Sequence, residues 1–285
     1  MILNGKIVAT QISAQLKEEV EASNKRPPCL VIISVGDDPA SAVYVRNKIK
    51  ACEEIGINVT HRTFSSEALA GPIIRTIAVY NANPEVDGIM VQLPLPNHLD
   101  ERIIIDTINP GKDVDGLTTL NAGLLRTGQL DSCFIPCTAK GVMDLLRYYN
   151  VPICGADVAI VGRSNIVGKP LADLMMAAGA TVTQCHSKTQ HLDYQLHGMD
   201  IVVSAVGKPK FITKDMVSIH NTTVIVDVGI NRDENGKLCG DVDYENVAPI
   251  AKSITPVPGG IGPMTVAELM GNVVQAWRHN VMNPA

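Results

Sequence analysis

The sequence predicts an α/β protein of two lobes, each with a parallel sheet, and a cleft between them. Short apolar runs rich in β-branched residues alternate with longer stretches of helical period, the pattern of parallel strands covered by helices. A fresh strand–turn–helix unit begins at Asp157, after three strands have already been laid down, so the architecture restarts part-way along the chain. At 285 residues, 46% hydrophobic and 19% charged, two globular domains are the natural division.

The strand candidates are 29–35, 58–64, 88–93, 157–161, 181–185, 201–205 and 223–228. Ile7, Ile12, Leu16 and Val20 mark the apolar stripe of a first helix. Asp38 as N-cap, Pro39 at the first helical position and Gly56 as a stop predict a helix over 39–55. Further helices are expected over 138–149, 167–179 and 265–280. The last opens on Thr265-Val-Ala-Glu268, a capping box after a Gly/Pro loop.

Charge and composition exclude several classes. Twenty-four basic residues against 29 acidic ones give a net charge of −5, with no basic stripe for nucleic acid. The longest apolar stretches, 29–35 and 156–161, are too short to cross a bilayer, and Asn4, Gly5 and Lys6 stand where a signal peptide needs an apolar run. A cytoplasmic protein is expected, with no membrane partner. The seven cysteines form no C-x-x-C pair, and Cys133 and Cys137, the closest two, have no neighbouring ligands to complete a zinc site. They read as small buried thiols, and no metal is expected.

The residue that stands out is Lys48. At about 100° per residue, Arg46, Asn47, Lys50, Glu53 and Glu54 fall on one side of the 39–55 helix. Val45, Ile49 and Cys52 fall opposite, with Lys48 among them and with Ser41 and Tyr44 two turns and one turn N-terminal on the same strip. A lysine there either snorkels past apolar surface to water or faces a cleft, where desolvation fits it for proton transfer. Tyr44 beside it is a plausible stacking platform for a flat ligand. Gln92 ends an apolar strand where a parallel sheet gives way to loop, the edge at which ligands bind. Asp115, in Lys112-Asp-Val-Asp-Gly116, is a carboxylate in a glycine-bounded loop. Each of these two also has an ordinary reading as a turn residue.

Residues 157–161 run into Gly162-Arg-Ser-Asn-Ile-Val-Gly168 and then a helix, the order that sets backbone N–H groups against a pyrophosphate. The match to G-x-G-x-x-G is imperfect, since Ser164 replaces the second glycine and the last is displaced to 168. The next strand ends Cys185-His-Ser-Lys188, without the acid that would bind an NAD ribose. With Arg163 nearby, these groups suit a 2′-phosphate, so NADP is preferred to NAD.

Together Tyr44-x-x-x-Lys48, Val91-Gln-Leu-Pro-Leu-Pro96, Lys112-Asp-Val-Asp-Gly-Leu117, Pro136-Cys-Thr138, Gly162-Arg-Ser-x-x-Val-Gly168 and Pro258-Gly-Gly-Ile-Gly-Pro-Met-Thr265 form six ordered motifs. With them the chain resembles, along nearly its whole length, the bifunctional methylenetetrahydrofolate dehydrogenase/methenyltetrahydrofolate cyclohydrolase family. The resemblance implies a homodimer that oxidises 5,10-methylenetetrahydrofolate with NADP and hydrolyses the methenyl product to 10-formyltetrahydrofolate. It implies a catalytic folate-binding domain over 1–120, completed by a C-terminal helix at 264–285, and a Rossmann-like NADP-binding domain over 121–263. Lys48 would be the central catalytic group, Gln92 would hold it, Tyr44 would stack on the folate, and Asp115 would bind the pterin edge. Leu93, Pro258, Gly259 and Gly260 would line the substrate site, the last three in a 258–265 loop. Thr138, Gly162, Arg163, Ser164, Ile166, Val167, His186, Ser187, Gly207 and Ile230 would bind the cofactor. Two departures, Ala139 where the family has a helix-start proline and Ile261 where valine is common, leave the chemistry in place, provided Thr138 caps its helix.

Overall fold

The computed structural model describes residues 1–217 and 222–282; the last three residues of the expected 264–285 segment lie outside the described residues. The first half of the chain runs α1 (Gly5–Ala22), β1 (Cys29–Val35), α2 (Pro39–Glu54), β2 (Asn58–Phe64), α3 (Ala70–Ala82), β3 (Gly88–Val91), α4 (Glu101–Ile105) and α5 (Thr119–Arg126). The apolar run of β1 takes the centre of a parallel sheet ordered β2-β1-β3, where both of its faces are covered. The more polar β2, carrying His61 and Arg62, takes the edge, where charge discourages further pairing. Ile73 and Ile77 of α3 and Ile104 of α4 pack against Val31, Ile33, Ile89 and Val91. Short polar side chains open α2 and α4: Asp38 accepts from the Ser41 N–H at 2.7 Å, and Asp100 from those of Arg102 and Ile103 at 2.9 and 3.2 Å.

The second half runs α6 (Cys137–Tyr148), β4 (Asp157–Val161), α7 (Gly168–Ala177), β5 (Thr181–Cys185), α8 (Leu192–Leu196), β6 (Ile201–Ser204), β7 (Val224–Asp227), β8 (Asn231–Arg232), β9 (Leu238–Cys239), α9 (Tyr244–Val247), β10 (Ser253–Ile254) and α10 (Ile261–Met282). Its five-stranded sheet is parallel throughout and ordered β10-β7-β6-β4-β5. The connection from β4 goes outward to β5 and the next returns past β4 to β6, so the strand order reverses at the β4/β6 junction. Ligands of doubly wound sheets bind outside the carboxyl ends of the strands at such a junction.

The chain divides into two compact units, Thr10–Cys137 with Val266–Ala285, and Met1–Ala9 with Thr138–Thr265. The line between these compact units falls at 137/138. Polar pairing carries the first unit past α5: the Asn121 side chain donates to Pro110 O at 3.1 Å and to Asp113 at 2.9 Å and accepts from the Phe134 N–H at 3.4 Å. Residues 1–9 fall in the second compact unit. Leu3 N–H donates to Ile254 O at 2.8 Å and Ile254 N–H to Met1 O at 3.0 Å, so the first residues extend the sheet beyond β10. Val266 onward packs in the first unit, where the Trp277 indole donates to Arg26 O at 2.8 Å and the Asn280 amide to buried Asp87 at 2.9 Å.

Two helix starts also differ from expectation. Helix α10 begins at Ile261, not at the Thr265 capping box, because Pro263 sits in its first turn, where a missing N–H costs nothing. Thr265 therefore lies inside the helix, and its hydroxyl turns back to Ile261 O at 3.3 Å. Likewise α6 begins at Cys137, so Thr138 is a first-turn residue whose hydroxyl meets that of Thr265 at 3.1 Å instead of capping. Among the described residues, no helix is long and apolar enough to cross a membrane, and no cluster of His, Cys, Asp and Glu has the makings of a metal site.

Candidate active site

The first unit brings Lys48 and Gln92 together at the carboxyl edge of its sheet. Gln92 follows β3 directly, and its N–H donates to Ile33 O at 2.8 Å, which fixes its backbone to the central strand. Its side-chain NH2 donates to Leu93 O at 2.7 Å, so the amide can point only its oxygen toward Lys48, whose ammonium donates to that Oε1 at 3.1 Å. A weak second contact joins the ammonium to the Met90 thioether at 3.9 Å. Lys48 is half-buried on α2, on the same side as buried Val45 and Cys52. It does not snorkel into open water; it is held. Burial pushes the neighbouring Cys52 thiol up to about 12 despite the lysine beside it, so the sulfur stays a thiol and is no nucleophile at neutral pH. Tyr44, one turn N-terminal, is exposed, as a ligand platform has to be.

Asp115 reaches the same end of the sheet by another route. Asp113 makes a parallel bridge to Ile89, extending the sheet beyond β3, and Asp115 lies in the turn that follows. That turn is clamped throughout. Asp113 is buried, and its carboxylate accepts from the N–H groups of Leu117 at 3.2 Å and Thr118 at 2.7 Å. Burial raises the Asp113 pKa against the pull of these donors. Gly116 adopts φ +69°, and a Cβ there would lie 2.6 Å from Phe134 O. Asn272 of α10 donates to Val114 O at 2.8 Å and to Ile135 O at 3.0 Å. Sequence reasoning picked out Asp115 and missed Asp113 and Asn272, which hold it; the first of these has a signal in the D-x-D-G spacing, the second has none.

All ten expected cofactor residues lie in the second unit. Gly162 and Gly168 answer a packing need: a Cβ on Gly162 would meet Ala205 O at 2.5 Å, and one on Gly168 would overlap Gly162 O. The loops after β4 and β6 thus approach backbone to backbone at the reversal of strand order. Between the glycines, Arg163, Ser164 and Ile166 are exposed, with the Ser164 hydroxyl accepting from the N–H groups of Val167 at 3.1 Å and Gly168 at 3.4 Å. After β5 a closed turn forms, in which His186 N–H donates to Thr189 Oγ1 at 2.9 Å and Lys188 N–H to His186 Nδ1 at 3.2 Å. Ser187 and Lys188 stand exposed on it, and no carboxylate interrupts 186–190. Val161 pairs with Cys185, so Arg163 and Ser187 follow adjacent strands at one edge. Nothing occupies the space a Cβ on Gly207 would fill, and Ile230 leaves 44% of its surface exposed. An open glycine, exposed apolar side chains and cationic groups fit a dinucleotide.

Pro258, Gly259 and Gly260 also lie in the second unit, apart in the chain division from Lys48, Gln92, Leu93 and Asp115. They do not form one loop with 261–265, which is helical. The close approach that the glycines permit is to α1: Lys6 N–H donates to Gly259 O at 3.1 Å, and the space beside Gly5 is filled by Gly260 O. Two surface hollows of about 580 and 330 Å³ flank α5 and are lined by none of the expected site residues.

A family model described as the catalytic domain of tetrahydrofolate dehydrogenase/cyclohydrolase matches residues 3–115, and its NAD(P)-binding domain matches residues 136–281. The chain belongs to the tetrahydrofolate dehydrogenase/cyclohydrolase family. It is 50% identical over 277 residues to the bifunctional protein FolD of Acetivibrio thermocellus, covering 96% of each chain. The solved bifunctional FolD enzyme of Campylobacter jejuni superposes with a TM-score of 0.95 at 43% identity, covering 98% of this chain and 99% of that one. A Trypanosoma brucei FolD, solved with NADP cofactor and inhibitor, superposes at 0.93 with 34% identity over 99% and 98% of the two chains. As a tetrahydrofolate dehydrogenase/cyclohydrolase, the chain is a bifunctional enzyme, with the first unit carrying the catalytic-domain match and the second most of the NAD(P)-binding match.

Within that family frame, the residues that sequence reasoning overlooked in the second unit are Asp227 and Asp241. Both are buried and line the loops after β6 and β7. Burial pushes the Asp227 carboxyl up to about 6, against three donated backbone hydrogen bonds, with Asp241 adding to the rise.

Proposed function

We propose that the chain oxidises 5,10-methylenetetrahydrofolate to 5,10-methenyltetrahydrofolate with NADP and hydrolyses that product to 10-formyltetrahydrofolate, with Lys48 as the central catalytic group. The observation that carries the proposal is the Lys48–Gln92 pair, an ammonium held 3.1 Å from an amide oxygen whose orientation is locked from its other end. NADP, when bound, accepts the hydride that leaves the methylene carbon. Lys48 moves the proton in the hydrolytic step, assisting attack of water on the methenyl carbon. Gln92 takes one donor of the ammonium and so aims the others. Tyr44 offers its ring face to the folate, and the Asp115 carboxylate accepts from the amino-pyrimidine edge, whose two donors suit a bidentate acceptor. Leu93, Pro258, Gly259 and Gly260 complete the substrate contacts. Arg163 and Ser187, with His186 and Lys188 beside them, favour a 2′-phosphate and hence NADP over NAD. Gly162, Ser164, Ile166, Val167, Thr138, Gly207 and Ile230 make up the rest of the cofactor surface. The functional domains follow as 1–120 with 264–285 for folate and 121–263 for NADP.

The seven free thiols suit a reducing, cytoplasmic setting, and a homodimer is the expected assembly. Sedimentation should then give a mass near twice 30.5 kDa, and a mass near 30.5 kDa would sink the dimer. The activity is tested with purified protein, methylenetetrahydrofolate and either NADP or NAD, following absorbance of the methenyl product. Formation faster with NADP, followed by enzyme-dependent decay, is expected. No product with either cofactor would overturn the reading.

A further inference from the structure

Asp241 has no exposed surface, yet its carboxylate accepts five hydrogen bonds. Oδ2 takes the Val206 N–H at 2.7 Å, the Gly207 N–H at 3.3 Å and the Ser204 hydroxyl at 3.2 Å. Oδ1 takes the Lys208 N–H at 2.9 Å and the Asn231 side-chain NH2 at 2.9 Å. Three successive backbone N–H groups converging on one anion, with Gly207 at φ +65° in the middle, form a nest. Every partner is a donor, so only a side chain that accepts at both ends satisfies them all. The glycines around it follow from the same requirement. A Cβ on Gly229 would overlap the Asp241 carboxyl, and one on Gly240 would overlap that of Asp227. Asp227 secures the arrangement from below, accepting from the N–H groups of Asp241 at 2.9 Å, Gly229 at 2.9 Å and Val242 at 2.8 Å.

The loop in the nest follows β6, and the one tied to it through Asn231 follows β7. Gly207 lies in the first and Ile230 in the second. We infer that Asp241 is a positioning residue for the dinucleotide, fixing both loops at the carboxyl edge of the sheet so that Gly207 and Ile230 present a prearranged surface. This rests on the reading above that the edge binds NADP. Fixing the loops beforehand removes an ordering cost that binding would otherwise have to meet.

The test is Asp241→Asn, in which an NH2 replaces one oxygen and must face donors. Calorimetry should show NADP binding weakened by about 10- to 100-fold, as expected when charged hydrogen bonds at one site are lost, with kcat/KM for NADP falling in step. Hydrolysis of methenyltetrahydrofolate supplied directly needs no dinucleotide, and its rate should stay within about two-fold of the parent. A merely structural role would lower both activities together, and that result overturns the inference. Unchanged NADP binding overturns it as well. If Asp241→Asn does not fold, Asn231→Ala decides the matter: it leaves Asp241 in place, cuts the tie to the β7 loop alone, and should weaken NADP binding several-fold. A variant that binds like the parent defeats the positioning role alone. A parent that does not bind NADP in calorimetry defeats the dinucleotide reading itself.

Discussion

An ammonium group with one amide oxygen and one thioether for partners keeps a donor for a further acceptor, and Lys48 holds it half-buried, where the ion-paired Lys17 and Lys50 lie exposed. Lys48→Met should preserve the fold, because methionine fills the volume of the lysine stem without its charge. Methenyltetrahydrofolate hydrolysis should fall by at least about 100-fold, the scale of a lost proton-transfer group; hydrolysis at the parent rate would reduce Lys48 to a packing residue. Arg163 invites a different comparison. It is exposed at the sheet edge beside Ser187, and a charged hydrogen bond contributes about 1.5–3 kcal/mol. Arg163→Ala should therefore lower kcat/KM for NADP by about 10- to 150-fold and leave that for NAD nearly unchanged. The quantity to measure is the ratio of the two efficiencies. If both fall together, the arginine contacts the pyrophosphate, and the 2′-phosphate contact passes to Ser187.

At the scale of elements, α10 does more than pack. Its buried Asn272 donates to Val114 O and Ile135 O, and Val114 precedes Asp115 in the chain. Asn272→Leu leaves two buried carbonyls without that donor, which should cost about 2–4 kcal/mol of stability. On the proposed role of Asp115, KM for the folate should rise while Kd for NADP holds. A lower melting temperature with an unaltered folate KM would make Asn272 a structural residue only. The β2 strand shows the opposite economy: at the sheet edge its side chains are mostly exposed, and position there follows from polarity alone.

Over the whole molecule, the buried acid Asp227 ties stability to pH. Its folded pKa is raised from 3.8 to about 6 by burial, so between those values the folded protein holds a proton that the unfolded chain has released. The resulting stabilisation is fully present below about pH 4 and is lost as pH rises through about 6, a loss of about 3 kcal/mol. Asp227→Asn should be less stable throughout, since its amide meets the donors of Gly229, Asp241 and Val242, but should lack this decline. Urea unfolding of parent and variant at pH 4 and pH 8 measures the difference. The parent's advantage should shrink at the higher pH, and an advantage equal at both values would show that Asp227 titrates alike in both states.

Much of this was legible in the sequence, because it depends on residues close together in the chain. The β-branched runs mark β1, β2, β4 and β5 to the residue, since branched side chains favour extended backbone, and in the central strands β1 and β4 the run is also apolar on both faces. Asp38 marks the start of α2, and the helical period sets Lys48 among apolar neighbours before any partner is known. The tertiary structure alone decided that the first residues pair beside β10 and which polar groups hold the site. Main-chain pairing of Leu3 with Ile254, the reach of Asn272 to Val114 and that of Asp241 to Val206 join residues 251, 158 and 35 positions apart. Periodicity and capping report only on neighbours within a turn or two, whereas a buried donor or acceptor is satisfied by whichever loop the fold delivers to it.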